Sequence, residues 1–183
     1  MGADFGFRSD ASALCVSRLE GDLYRVADLR EVRPQRGAPL QPSVVVAGFA
    51  EVARNYGATS VIADRHYEEA VREHLGTHKL RLVPAPDGLA GKLEVYTRAR
   101  ALLHEGRVRL PAHARLVAQL KAVTSKPTPG GGLTISSPRR AGAHGDLVSA
   151  FVLALASLPS AQLAPWLRER LVPGVPLFGG MAA

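Results

Sequence analysis

The spacing of apolar residues changes several times along this chain, and the changes mark its elements. Ser12 to Leu19 carries Leu14 and Val16 in alternation with polar positions, the pattern of a half-buried strand. Glu20-Gly21-Asp22 is a hairpin turn, and Leu23 to Val32 returns with Tyr24, Val26, Leu29 and Val32. Ahead of both, Ala3 to Phe7 is short and β-like, and Arg8-Ser9-Asp10 forms a turn. A three-strand meander is therefore predicted, followed by a loop over Arg33 to Pro42.

The period then lengthens. Val45, Phe49, Val52 and Tyr56 recur at helical spacing, with Ser43 as N-cap and Gly57 as stop. Ser60 to Ala63 is wholly apolar, as a central strand covered on both faces should be. A helix from Tyr67 to Leu75 ends at Gly76. Lys79 to Val83 is a strand closed by Pro84-Ala85-Pro86. Gly88 to Glu105 is a longer helix with Leu89, Leu93, Tyr96, Ala99 and Leu103 on one face, stopped by Gly106. Val108 to Leu110 reads as a short strand and Ala112 to Ala122 as a helix carrying Leu116 and Leu120. Val123 to Lys126 and Leu133 to Ser136 flank a proline- and glycine-rich tip, residues 127–132, and so form a small hairpin.

Asp146 opens a run, through Ala156, that is apolar on every side, which is the mark of a buried helix. A further helix from Ala161 to Leu171 holds Trp166, and Pro173 to Ala183 reads as a loose tail. No internal repeat and no second domain is visible, so residues 1–183 read as one domain with a globular core over 1–172. The order is β-β-β-α-β-α-β-α, a hairpin, then two helices. It predicts an α/β mixed sheet, with an antiparallel three-strand meander, parallel strands and helices on both faces. Ligands bind such sheets at the carboxyl ends of central strands, where Asp64 lies.

Composition narrows the class. At 183 residues and 46% hydrophobic the chain can bury a real core and is not of disordered type. No charge-free apolar run is long enough to span a bilayer, and no basic, apolar leader is visible. Cys15 is the only cysteine, which excludes an internal disulfide or a cysteine zinc site and suits a reducing, cytoplasmic setting. His74, His78, His104 and His113 lack zinc-site spacing. A net charge of +7 points to a polyanionic partner, although an Arg-rich soluble surface would give the same balance.

Within this basic chain three acids sit at element ends: Asp4, Asp64 and Asp146. If those ends meet, the carboxylates repel unless cations lie among them. Mg²⁺ or Mn²⁺ prefers such oxygen ligands. Two such ions roughly 3.5–4 Å apart activate water and stabilise the leaving oxygen in phosphodiester hydrolysis. Each acid also has a plainer role: Asp4 as a polar residue near the terminus, Asp64 as a helix cap, Asp146 as a complement to the helix dipole.

The Asp4 strand with its meander, the Val61-Ile62-Ala63-Asp64 strand end and the His144-Gly145-Asp146 helix start resemble the C-terminal nuclease domain of tailed-bacteriophage large terminases. That family has an RNase H-like fold, and the resemblance runs over nearly the whole chain, Gly-rich hairpin included. It implies a Mg²⁺- or Mn²⁺-dependent endonuclease with two ions, cutting concatemeric viral DNA during packaging in the bacterial host cytoplasm. Asp4, Asp64 and Asp146 match its metal ligands. Gly145 stands where some members carry an adjacent second acid, which leaves Asp10, His144 or water to complete the second ion's shell. No phosphate-binding G-x-x-x-x-G-K-[ST] appears, so the packaging ATPase domain is expected on a partner or a longer parent chain. Double-stranded DNA, that ATPase, the small terminase subunit and the portal are the implied partners, with no membrane.

Arg65, His66, Lys126, Arg139 and Arg140 are candidates for backbone phosphate contacts, with solvated surface as the competing role. A Holliday-junction resolvase or transposase core would share the acid triad. A DNA-binding or assembly module on this fold would bind without cutting.

Overall fold

The computed structural model describes residues 1–137, 145–158 and 173–178. The expected meander is present as β1 (Gly2–Asp4), β2 (Ser12–Glu20) and β3 (Leu23–Val32), paired antiparallel in sequence order. Beside β1 run β4 (Ser60–Ala63) and β5 (Arg81–Pro84), both parallel to it, while β6 (Val108–Arg109) lies parallel to β3 at the other edge. The sheet order is β5-β4-β1-β2-β3-β6. A separate hairpin joins β7 (Thr124–Pro127) to β8 (Leu133–Ser136).

Helices cover both faces. Residues of α1 (Pro42–Asn55) and α2 (Glu68–Thr77) bury Val46, Phe49, Ala53, Val71 and Leu75 against Leu14, Val16, Val61 and Ala3. On the opposite face α3 (Gly88–His104), α4 (Ala114–Ala122) and α5 (Asp146–Ala156) enclose Ala13, Cys15 and Tyr24. Ser12 to Ser17 is therefore buried throughout rather than half-buried, because β2 lies inside the sheet with helices above and below. As its sequence requires, α5 is buried almost all round. It crosses close to β1 because Gly2 has no side chain: a Cβ there would overlap the backbone of Ala150 and Ala154. Gln119 Oε1 accepts from the Val148 N–H at 3.1 Å at one end of α5, and Arg98 donates to the Ala156 and Leu158 carbonyls at 3.3 and 2.8 Å at the other. Both ends are thus satisfied by neighbouring helices.

Several boundaries differ from the sequence expectation. β1 stops at Asp4, after which Phe5 and Phe7 leave the sheet and pack near Phe49, with Phe5 and Phe49 centroids 5.8 Å apart. Gln41, not Ser43, precedes α1, whose start is set by Pro42 in the first turn. Tyr67 sits outside α2 in the left-handed region, at φ 60°. His113 caps α4 by accepting from the Leu116 N–H at 3.1 Å. On α3 Leu89 is exposed. Gly91, Val95, Ala99 and Leu102 face the core instead, because Gly91 packs directly on the Pro86 backbone. The expected helix over Ala161 to Leu171 with Trp166 lies outside the described residues.

The segment expected as a loose tail is not loose over residues 173–178. Leu177 and Phe178 are buried in the core beside α4 and α5. Backbone bonds from Gly174 to Ser125 at 2.8 Å and from Leu177 to Val123 at 2.6 Å tie it to the hairpin. Two large apolar residues spaced for one contact outweighed the glycines around them. No helix among the described residues is long and apolar enough to cross a membrane.

Candidate active site

β1 and β4 are parallel neighbours, and the last pair in their register is Ala3 with Ala63. One residue further, β1 ends in Asp4 and β4 is followed by Asp64. Asp146 enters from above on the first turn of α5, the sheet-side helix that Gly2 allows to approach. All three line one cleft of about 670 Å³, together with Asp10 from the β1–β2 loop. That loop is closed by Ser12, whose hydroxyl accepts from the Gly6 N–H at 3.2 Å and donates to the Gly6 carbonyl at 2.7 Å.

The three acids differ in setting. Asp64 is exposed, and its carboxylate accepts from the His66 N–H at 3.0 Å, which fixes a turn rather than capping α2. Asp146 is buried in the first turn, where the helix dipole favours a negative charge. Asp4 is half-buried, and its carboxyl is pushed up to about 8, first by loss of solvation and then by the charges of Asp64 and Asp146. A hydrogen bond from Ser149 and the charge of Lys92 oppose that rise. Ser149 stands one turn after Asp146 and lies 3.1 Å from the Tyr96 hydroxyl. With the Ser149 proton donated to Asp4, Tyr96 is the donor to Ser149. A relay of Tyr96, Ser149 and Asp4 results. Tyr96 itself is raised to about 12, mainly by burial.

Among the described residues no three acids, imidazoles or thiols are drawn into a ready-made chelating set. The aspartates share a cleft but not a cage, and their like charges repel. The donor set is hard oxygen, and the half-buried Asp4 is the group most in need of positive charge. Both facts fit a hard divalent ion and not a soft one.

Of the predicted phosphate-binding residues, His66 lines the same cleft, its ring 4.2 Å from that of Tyr67. Arg65 lies in an adjoining lobe of about 200 Å³, its Nε 3.8 Å from Asp87. Lys126 is exposed on β7 and lines neither lobe. It is the β8 side of the hairpin, through Ile135, Ser136 and Ser137, that borders the acids. His144, Arg139 and Arg140 lie outside the described residues. Sequence reading missed Arg8, Lys92, Tyr96 and Ser149. The last was legible as the residue three after Asp146 on the same helix face, and Lys92 and Tyr96 as an i,i+4 pair.

Gly145 is explained by contact. A Cβ there would lie 2.8 Å from the Ser137 hydroxyl and 2.9 Å from its Cβ, so the hairpin occupies the space of any side chain. A second acid at this position has no room.

A family model described as the terminase RNaseH-like domain matches residues 1–158. Among solved structures, the large terminase nuclease from thermophilic phage G20c has a TM-score of 0.73 and 24% identity, over 86% of this chain and 81% of that one. The same G20c nuclease has been solved with bound magnesium and with bound cobalt, at TM-scores of 0.72 and 0.71. The nuclease domain of Thermus phage P74-26 gives a TM-score of 0.68 and 24% identity over 84% of this chain and 75% of its own. The HK97 bacteriophage large terminase gives 0.72 and 20% over 86% of this chain, which spans 38% of the HK97 protein. No curated protein matches the chain by sequence. The likeness covers the six-stranded mixed sheet and its flanking helices, an RNase H-like fold.

Proposed function

The chain belongs to the terminase RNaseH-like domain family, and on that premise we propose that it is a metal-dependent endonuclease hydrolysing DNA phosphodiester bonds during viral genome packaging. One observation carries the reading. Three aspartates separated by 60 and more positions share one cleft, and in it the carboxyl of Asp4 is pushed up by loss of solvation and by the charges of the other two.

Asp4, Asp64 and Asp146 would hold Mg²⁺ or Mn²⁺, with Asp10 the candidate for the shell of a second ion. The magnesium and cobalt bound by the G20c nuclease support a divalent ion here. Such ions supply an activated water and stabilise the leaving oxygen. The chain's own residues do the rest. The register of β1 and β4 puts Asp4 and Asp64 at neighbouring strand ends, and the buried α5 brings Asp146 into the same cleft. Ser149 keeps the Asp4 carboxylate oriented and lowers its proton affinity. Arg8, Arg65 and His66 offer positive or hydrogen-bonding groups around the acids for the phosphates of double-stranded DNA. The packaging ATPase, small terminase subunit and portal are its proposed partners, in the cytoplasm of a bacterial host, with residues 1–183 acting as the nuclease module.

The test is nicking of supercoiled plasmid in Mn²⁺ or Mg²⁺ by the wild type, Asp64→Asn and Asp146→Ala, with circular dichroism to verify folding. Cutting by the wild type alone is expected. Equal cutting by all three would sink the site assignment. Salt-sensitive DNA binding without nicking in either metal would make the chain a non-cleaving module.

A further inference from the structure

The acid cleft and the adjoining lobe that holds Arg65 are two parts of one depression, and four residues line both: Asp4, Asp64, Ser149 and Lys92. Two of the four are acids at strand ends, and one is the hydroxyl of the relay. Lys92 is the cation at the junction. It projects from the second turn of α3, with Nζ 5.9 Å from the centroid of the Tyr96 ring one turn later. Its side chain is exposed, whereas Arg65 leans on Asp87 and Arg107 is engaged by Asp22 and Glu105. Asp4 feels the Lys92 charge. A flexible ammonium standing free over buried aromatic surface, beside the acids and open to solvent, is a point-charge donor aimed at an incoming anion.

Resting on the nuclease reading above, we infer that Lys92 is a substrate-contacting residue, donating a hydrogen bond to a non-bridging oxygen of the phosphate that is cut. In hydrolysis the water oxygen bonds to phosphorus as the bond to the sugar oxygen breaks. One proton leaves the water and one is taken up by the sugar oxygen, and Lys92 remains protonated throughout. Negative charge grows on the non-bridging oxygens during that exchange, so a cation fixed beside them stabilises the transition state more than the bound ground state. Lys92 therefore affects the rate of cutting more than the affinity for DNA. Arg65, one lobe away, contacts a neighbouring phosphate and affects affinity.

Two measurements test this. Single-turnover cutting at saturating duplex and Mn²⁺ is expected to slow at least tenfold in Lys92→Gln, with duplex affinity changed less than threefold and partial recovery in Lys92→Arg. Because Lys92 is exposed on the helix surface, the substitution leaves the fold intact. Separately, a short duplex in metal-free buffer should protect Lys92 of the wild type from amine acylation, while Lys121 on α4, which lines neither lobe, reacts as before. An unchanged rate in Lys92→Gln beside a cutting wild type overturns the inference, as does equal acylation of Lys92 with and without duplex. A wild type that never cuts yet shows Lys92 protected would defeat the nuclease reading and leave the phosphate contact standing.

Discussion

Asp4 and Asp64 each stand one residue past the same ladder pair, Ala3 with Ala63, of two parallel strands. Strand neighbours are about 4.8 Å apart, so the backbone alone sets the two carboxylates side by side. Asp146 needs a different device, the close approach of α5 over Gly2. Loss of solvation and mutual repulsion then penalise the ionised form of Asp4, a cost borne by the buried apolar layers on both faces of the sheet.

That cost is readable in the pH dependence of stability. Asp4 titrates near 3.8 in an unfolded chain and near 8 in the fold. Between those values the folded state holds the proton more tightly, so this group lowers stability as pH rises through the window and adds no further change above about 8. Asp4→Asn removes the penalty. In EDTA at pH 8 its melting temperature should exceed the wild type's by at least about 2–4 °C, the shift produced by roughly 1 kcal/mol in a domain of this size. Near pH 4 the difference should vanish. Added Mg²⁺ should stabilise the wild type and not Asp4→Asn. A scanning-fluorimetry series over pH, with and without Mg²⁺, checks both signs.

Ser149 should tune the same proton. Its hydrogen bond favours ionised Asp4, so Ser149→Ala raises the Asp4 pKa further. Under the proposed function cutting requires the ionised carboxylate, so the acidic limb of kcat/KM should move to higher pH in this variant. Tyr96→Phe should move it in the same direction by less, since Tyr96 acts through Ser149. An acidic limb that stays in place in Ser149→Ala would remove Ser149 from the relay.

The acids themselves were legible because each ends a recognisable apolar run: the strand before Asp64, the short first strand, the buried helix after Asp146. Periodicity recovered the meander, the parallel strands and the hairpin for the same reason. What it could not supply was contact between elements. Leu89 fits the helical pattern of α3 yet faces water, because Gly91 and not a large residue makes the packing contact. Arg8 carries no periodic signal, the spacing of Lys92 and Tyr96 marks only a shared helix face, and the folded loop and helix are what bring Arg8 and Lys92 to the acids. Lys126 sits in the right hairpin but on its outer strand.

Gly145 tests the steric account of the helix start. Its φ of −78° suits any residue, so the demand there is space rather than backbone freedom. Gly145→Ala should destabilise by about 1–3 kcal/mol as Ser137 is pushed aside. Ser137→Gly in the same chain should restore most of the loss, because it empties the position that the new methyl enters. Urea unfolding of the two single variants and the pair gives the coupling directly. Additive effects would mean that Ser137 is not what excludes a side chain at 145.

The described part of the C-terminal segment should prove structural. Phe178 has no exposed surface and packs in the core formed by α3, α4 and α5, while Leu177 bonds through its backbone to the start of the hairpin. Phe178→Ala should therefore cost about 3–5 kcal/mol, the range for removing a fully buried aromatic ring. Val175, half exposed in the same segment, should tolerate alanine within about 0.5 kcal/mol. A loose tail would make the two substitutions equally harmless, and urea midpoints separate the alternatives cleanly. The consequence reaches the acid cleft. The segment pairs at Pro176 with Thr124 on β7, and β8, the strand hydrogen-bonded to β7, borders the acids and fills the space beside Gly145. Loss of the Phe178 anchor should thus loosen the hairpin wall of the cleft, so that Phe178→Ala cuts DNA more slowly even at temperatures where it remains folded.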